Sequence, residues 1–463
     1  MRKLFAARPT LTAAVVTVFL SACSGYANLS PSANIPLANP QGASTLVEQL
    51  RSGSDTKIQH VIIIIQENRS FDNLFQGFPG ADTRSYGYNS SGQKIELEPV
   101  GLATKWDLDH SLQGFFAGCN GQGSLPGTDC QMNGFNLEWI GCGGSGESRC
   151  PNANPPYSYV PRRETKPYFA MAEQYVLADR MFASNLDASF VSHQYIIAAQ
   201  ASSSVNTPAD AWGCEGGSGD TLPTLTQQRT VGNDIEACFD NRTLGDELDK
   251  AGLSWRYYTS SVYEDGGEWS PYQAIKHIYY GKDWSKDVIT PQTQFFADVS
   301  NGKLPVVSWI TPTCENSDHA GCGSNTGPSW VASLVNAVGE SKYWKSTAIF
   351  VFWDDWGGWY DHVPPKIVDY DGLGIRLPLL VISPYAKKGH VSHVHYETSS
   401  ILRFIEDRFA LPRLSVSDQR ATSPEKDCFD FAQSPRAFSP IPSDHDKNYF
   451  IHQPLDRRPV DSE

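Results

Sequence analysis

Apolar positions gather along this chain in short uninterrupted runs. Thr347 to Trp353 (T-A-I-F-V-F-W) is too short for a helix and too uniformly apolar for a strand with one wet face. It predicts a central strand covered on both sides. Ile58 to Ile65, with four consecutive isoleucines, predicts a second buried strand. Leu377 to Ser383, Leu304 to Ile310 (broken early by Pro305) and Trp255 to Thr259 predict three more. Helical spacing recurs between them. Pro167 to Ala178 carries Phe169, Met171, Ala172, Tyr175 and Val176 on one face, with proline at its start. Phe190 to Gln200, Pro271 to Tyr280, a segment capped by Ser329 and stopped at Gly339, and Ser399 to Phe409 complete the helices. Strands alternating with helices predict an α/β sandwich around a largely parallel sheet. Gly77 to Pro161, rich in glycine, aromatics and cysteine, predicts an irregular insertion, and the proline-rich tail from Gln433 predicts loops with Tyr449 and Phe450 able to pack back.

The ends and the composition add a compartment. Arg2, Lys3 and Arg8 precede the apolar run Leu11 to Leu20 and then Ser21-Ala22-Cys23, the pattern of an export signal. Leu20-Ser21-Ala22-Cys23 resembles a bacterial lipoprotein box, in which Cys23 becomes the lipidated first residue; ordinary cleavage after Ala22 is the alternative. Residues 24–56 are rich in Ser, Asn, Pro and Ala and predict a flexible linker. A catalytic domain is expected over 57–412 and a C-terminal extension over 413–463. The formal net charge of −14 becomes −17 once residues 1–22, with three basic and no acidic residues, are removed. Such a chain repels nucleic-acid phosphates overall. Nearness in sequence pairs Cys119 with Cys130, Cys142 with Cys150, Cys214 with Cys238 and Cys314 with Cys322, leaving Cys428. None has the Cys-x-x-Cys spacing of a structural zinc site, so staples in long loops are expected, though sequence alone does not fix connectivity.

Chemistry collects where the buried strands end. Glu67-Asn68 follows the isoleucine strand, Asp354-Asp355 follows the central strand, and His319 follows the strand ending at Ile310. Open α/β sheets bind ligands at these carboxyl ends. Adjacent carboxylates repel unless a cation or strong donors lie between them. Ser189 falls at a predicted helix N-terminus, suited to an N-cap or to a nucleophile whose anionic partner needs stabilising. Hard oxygen ligands beside a hydroxyl suit a divalent metal ion and phosphoryl transfer.

Four motifs carry a resemblance. Glu-Asn-Arg-Ser-Phe-Asp (67–72), Asp-Asp-x-Gly-Gly-x-Tyr-Asp-His-Val-Pro-Pro (354–365), Gly-Ile-Arg-Leu-Pro-Leu-Leu-Val-Ile-Ser-Pro (374–384) and Ser-Ser-Ile-Leu-Arg-Phe-Ile-Glu (399–406) are similar to the phosphoesterase family. That family holds bacterial and plant non-specific phospholipases C and acid phosphatases, within the alkaline phosphatase superfamily. The resemblance implies an alkaline-phosphatase-like α/β/α sandwich with disulfide-stapled insertions. It implies Glu67, Asn68, Asp354 and Asp355 as metal ligands, and Ser189 as nucleophile and further ligand. It also implies His110 and His319 as phosphate-contacting histidines, with His319 the proton donor to the leaving group and His277 a third candidate.

The chain departs from the phospholipase pattern in places. Ser189-Phe190-Val191-Ser192-His193-Gln194-Tyr195 keeps the tyrosine but lacks the Pro and Asn common after the nucleophile. Asp355 replaces a Glu, and Glu397-Thr398 stands where Asp-His is usual. The serine and the double aspartate are closer to acid phosphatase members. The expected activity is therefore phospholipase C-like cleavage of phospholipid head groups, with a broad phosphomonoesterase as the alternative and a non-catalytic surface lipoprotein as the alternative of another class. His390, His393 and His395 are expected to be loop residues, and His362 a hydrogen-bonding residue of the glycine turn. An aromatic rim drawn from the 12 tryptophans and 20 tyrosines would suit lipid or sugar substrates.

Overall fold

The computed structural model describes residues 57–144, 149–208 and 211–455. The expected export signal, Cys23 and the expected linker lie outside them. Nine strands build the main sheet: β1 (His60–Gln66), β2 (Val176–Phe182), β3 (Trp255–Tyr258), β4 (Val288–Ile289), β5 (Val307–Ile310), β6 (Thr347–Trp353), β7 (Arg376–Ile382), β8 (His390–Ser392) and β9 (Tyr396–Glu397). Their order is β4-β3-β5-β1-β6-β7-β2-β8, with β9 also paired to β2. β1 runs parallel to both β5 and β6, whereas β7 runs antiparallel to both β6 and β2.

The uniformly apolar runs occupy the middle of this sheet. Every residue of β6 and β7, and all of Val61 to Gln66, is buried, so both faces are covered. The helices form two packed groups. α1 (Lys166–Gln174), Gln294–Ser300 and Lys447–Ile451 pack on α3 (Gly327–Gly339), while Leu244–Lys250 and α4 (Ser399–Phe409) flank α2 (Ser189–Ala198). These are the outer layers of the expected α/β/α sandwich.

Several element boundaries differ from the sequence expectation: the strand expected from Leu304 begins at Val307, and Pro271 to Tyr280 is two short helices that meet at Ile275. The helix placed over Pro167 to Ala178 stops at Gln174, and Val176 begins β2. Asp179 and Arg180 interrupt the apolar run of β2, which hid it. The Asp179 carboxylate is buried and bonded to His393 Nδ1 at 2.9 Å, and Arg180 pairs with Asp82. α3 begins at Gly327, with Thr326 rather than Ser329 at the cap position. The tail is less irregular than expected, since Lys447–Ile451 is helical, while Phe450 packs back as expected, on Trp330 with ring centroids 5.2 Å apart. All four expected disulfides are present and Cys428 is free and buried. Among the described residues no helix is long and apolar enough to cross a membrane.

Candidate active site

β1 and β6 are neighbours in register, with Gln66 opposite Trp353, so the residues after each strand arrive side by side. Asn68 adopts a left-handed backbone (φ 61°), which Asn tolerates better than most side chains. Its N–H donates to Asp354 Oδ1 at 3.0 Å. Asp355 Oδ1 accepts from the Gly357 N–H at 2.7 Å, and the Asp355 carbonyl accepts from the Arg69 N–H at 3.0 Å. The glycine pair is a geometric necessity. A Cβ on Gly357 (φ +59°) would fall 2.1 Å from the Asn68 carbonyl oxygen, and one on Gly358 (φ +71°) would fall 2.4 Å from Leu108 Cβ.

That close approach brings in the segment carrying His110. His110 Nδ1 donates to the Leu108 carbonyl at 2.7 Å, which leaves Nε2 to accept from Asn68 Nδ2 at 2.9 Å. The Asn68 amide is thereby turned with Oδ1 towards Ser189. Ser189 Oγ lies 3.2 Å from Asn68 Oδ1 and 3.3 Å from Asp355 Oδ2. Ala188, not Ser189, holds the cap position of α2, so this hydroxyl sits in the first turn and faces the carboxylates. Asp187 fixes the approach: Oδ1 accepts from the N–H groups of Leu112 and Ala188, and Oδ2 from that of Asn206. Burial pushes its carboxyl up to about 6.

His319 stands on the loop after β5, closed by Cys314–Cys322. Its ring lies 5.9 Å from that of His110 and stacks on Trp269 at 5.7 Å. Its Nδ1 bonds the Ala320 carbonyl, which leaves Nε2 as the basic nitrogen. The neighbouring Asp318 anchors this loop to the strand ends. Its N–H donates to Gln66 Oε1, its carboxylate accepts from Tyr168 Oη and Trp353 Nε1, and its carbonyl accepts from Arg69 Nε. Burial raises the Asp318 carboxyl to about 6 and lowers Arg69 to about 10.

One residue not singled out by sequence joins the group. His193 Nε2 lies 3.2 Å from Glu67 Oε2 and 3.6 Å from Asp354 Oδ2, and all three side chains are buried. The missed signal was its spacing, because a residue four positions after Ser189 on a helix shares its face. His277 is not brought to this group. It is held between Asp240 (2.7 Å) and Asp246 (3.0 Å) on a partly exposed helix, and these carboxylates raise its pKa against a lowering by burial. His362 is a structural link, as expected, bonded to Asp72 and Asp82. His390, His393 and His395 take separate partners in Asp427, Asp179 and Phe182.

Glu67, Asp354 and Asp355 bring three carboxylates into a fully buried space. Asp354 Oδ2 makes no hydrogen bond there, a costly state for a buried anionic oxygen. Ligand atoms of Glu67, His193 and Asp354 all lie within 4.8 Å of one another. Hard oxygen donors around an unsatisfied carboxylate fit a divalent cation.

A serine hydroxyl in the first turn of a helix thus faces clustered carboxylates beyond the carboxyl ends of the parallel strands β1 and β6, a setting chemically suited to attack on a phosphoric ester. The chain belongs to the Phosphoesterase family, whose model matches residues 58–412. It is 25% identical over 460 residues to Phospholipase C B of Mycobacterium tuberculosis, covering 84% of this chain and 80% of that protein. It is 25% identical over 436 residues to the hemolytic phospholipase C of Pseudomonas aeruginosa, covering 80% of this chain and 55% of that one. With the non-specific phospholipase C1 of Arabidopsis thaliana the identity is 24% over 428 residues, covering 83% and 73%. Among solved structures, a protein in the alkaline phosphatase superfamily from Vibrio parahaemolyticus matches at 10% identity and a TM-score of 0.36, over 84% of this chain and 80% of that one.

Proposed function

We propose that the chain is an exported, metal-dependent phosphoester hydrolase that works through a phosphoserine at Ser189, with phospholipase C-like cleavage of phospholipid head groups as its reaction. The observation that carries this reading is the Ser189 hydroxyl, 3.2 Å from Asn68 Oδ1 and 3.3 Å from Asp355 Oδ2. Glu67, Asn68, Asp354, Asp355 and Ser189 would hold a divalent cation. When bound, it supplies positive charge that lowers the hydroxyl pKa and offsets the phosphate charge.

The side chains supply the rest. His110 holds Asn68 so that its oxygen faces Ser189. Ser189 Oγ passes its proton to Asp355 Oδ2, 3.3 Å away, and attacks phosphorus in line with the glycerol oxygen, forming the Oγ–P bond as the P–O bond to diacylglycerol breaks. His319, protonated on Nε2, gives that proton to the departing oxygen. Water then attacks the phosphoserine, losing a proton to the now neutral His319, and the phosphorylated head group leaves as Ser189 Oγ takes its proton back from Asp355. The amides at the start of α2 and the buried setting favour the anionic transition state.

The relatives named as phospholipases C support the phosphodiester choice. A phosphomonoesterase is the second reading, favoured by Ser189 and Asp355 standing as in acid phosphatase members of the family. The four disulfides fit an oxidising compartment, and attachment through a lipid on Cys23 belongs to the same proposal. The acidic balance argues against nucleic-acid partners.

Turnover of phosphatidylcholine to diacylglycerol, compared with release of phosphate from an aryl phosphate, separates the two substrates. Ser189→Ala should lose at least ~10³-fold in turnover, and acid quenching should trap the phosphorylated head group on Ser189 in the wild type. Unchanged turnover in Ser189→Ala overturns the nucleophile, and no hydrolysis of either ester with any divalent cation overturns the enzyme.

A further inference from the structure

Leu137 and Trp139 are 56% and 62% exposed, an unusual state for two large apolar side chains two residues apart. The backbone between them is open rather than helical. Glu138 is extended (φ −70°, ψ 154°), so consecutive side chains leave in different directions, and it is residue 138 that faces the interior while 137 and 139 face solvent. Glu138 accordingly turns inward and is 7% exposed, with Oε1 packed so close to Gly118 that a Cβ there would lie 2.6 Å away. The outward pair is therefore held up by a fixed base.

The position of this pair matters more than its exposure. The Asp109 N–H donates to the Trp139 carbonyl at 3.1 Å, and the Gly141 N–H donates to the Asp107 carbonyl at 2.9 Å. The exposed segment is thus laced to the irregular segment that delivers His110. Cys119–Cys130 and Cys142–Cys150 close the chain on either side of it. A second exposed aromatic, Tyr88 at 43%, belongs to the adjoining hairpin, where the Ser90 N–H donates to Asn136 Oδ1 at 2.9 Å.

We propose that Leu137 and Trp139, flanked by Tyr88, form an interfacial docking surface that holds the His110 side of the active site against zwitterionic phospholipid aggregates. The inference rests on the phospholipid reading of the site. Long-chain phospholipids present their phosphates at a water–lipid boundary, so an enzyme acting on them gains from apolar side chains at its entrance. An indole with an apolar body and a polar N–H suits the head-group layer. Charge selects the kind of surface. A chain of net charge −14 is repelled by anionic lipid, which leaves phosphatidylcholine-like surfaces as the partner.

Trp139, 62% exposed, is the most accessible tryptophan among the described residues, so a quencher carried in the lipid reaches it ahead of the eleven others. Vesicles of bromine-labelled phosphatidylcholine should quench its emission, and Leu137→Ser should weaken that quenching by at least ~10-fold in lipid concentration. Trp139→Ser should lower turnover on vesicles by a similar factor, with turnover of a soluble aryl phosphate or monomeric short-chain phosphatidylcholine unchanged. Vesicles of phosphatidylglycerol should quench less. Equal quenching and equal vesicle turnover in wild type and variants overturn the surface, even if monomeric phosphatidylcholine is cleaved. Quenching that depends on Leu137 in an enzyme that cleaves no phosphatidylcholine keeps the surface and overturns the phospholipid reading. A wild-type dimer that Trp139→Ser dissociates, with no quenching by lipid, assigns the patch to a second copy and overturns the proposal.

Discussion

His193 Nε2 lies 3.2 Å from Glu67 Oε2, from the helix whose first turn carries Ser189. The helix thus supplies the hydroxyl and, one turn later, the imidazole that orients a carboxylate of the same cluster. A group that holds a ligating carboxylate typically changes metal affinity by about 10–100-fold when removed. His193→Ala should therefore weaken binding of a divalent cation by that factor, read by calorimetry on the isolated protein. His193→Gln, which keeps a donor, should recover part of it. Unchanged affinity in both variants would show that His193 only fills space.

Gly357 tests the turn. A methyl group there meets the Asn68 carbonyl at 2.1 Å and demands a φ of +59° from an L side chain. Gly357→Ala should destabilise the fold by about 1–3 kcal/mol. Because Asn68 must move, turnover should fall more than the loss of folded protein explains. Denaturant titration alongside activity per folded molecule separates the two, and a variant of normal activity would show that the turn does not position Asn68.

Much of this arrangement was legible in the chain. Ile62 to Ile65 and Thr347 to Trp353 are so uniformly apolar that only a central strand satisfies them, and the polar residues after each had to emerge at one sheet edge. Ser189 was visible as a helix start, and Asn68 and Asp355 as its partners through the family resemblance, whereas His193 one turn later was not singled out. β2 was obscured because Asp179 and Arg180 are satisfied by His393 and Asp82, partners more than 90 residues away. His277 looked available for the same reason in reverse, since Asp240 and Asp246 claim it only in the folded chain. Long-range ion pairs leave no local periodicity to read.

Glu138 gives a pH dependence with a definite sign. Burial, and secondarily the nearby Asp109, raises its carboxyl well above the ordinary range, while His110 opposes them weakly. Neither carboxyl oxygen has a hydrogen-bond partner. The folded state holds the proton more tightly than the unfolded state, so Glu138 costs stability as pH rises above about 4.3. Glu138→Gln removes that cost. Its midpoint of thermal unfolding should match the wild type near pH 4 and exceed it increasingly towards neutrality. A difference that stays constant with pH would mean that the carboxyl does not titrate between these limits.

Asp354 separates folding from function. Its Oδ1 accepts from the Asn68 N–H, whereas Oδ2 is buried without a hydrogen bond in the group formed with Glu67 and His193. In Asp354→Asn the amide oxygen keeps the first bond, and the new Nδ2 donates towards Glu67 in place of two repelling anions. Without a divalent cation the variant should thus be more stable than the wild type, by about 1–2 kcal/mol, or ~1–2 °C in Tm for a domain of this size. With the cation the order should reverse, since the wild type alone retains the full anionic donor set and gains stability by mass action. Turnover should fall by at least ~100-fold. Thermal melts of both proteins with and without chelator decide the point: a chelated variant less stable than the chelated wild type would show that the acidic cluster is satisfied without a cation.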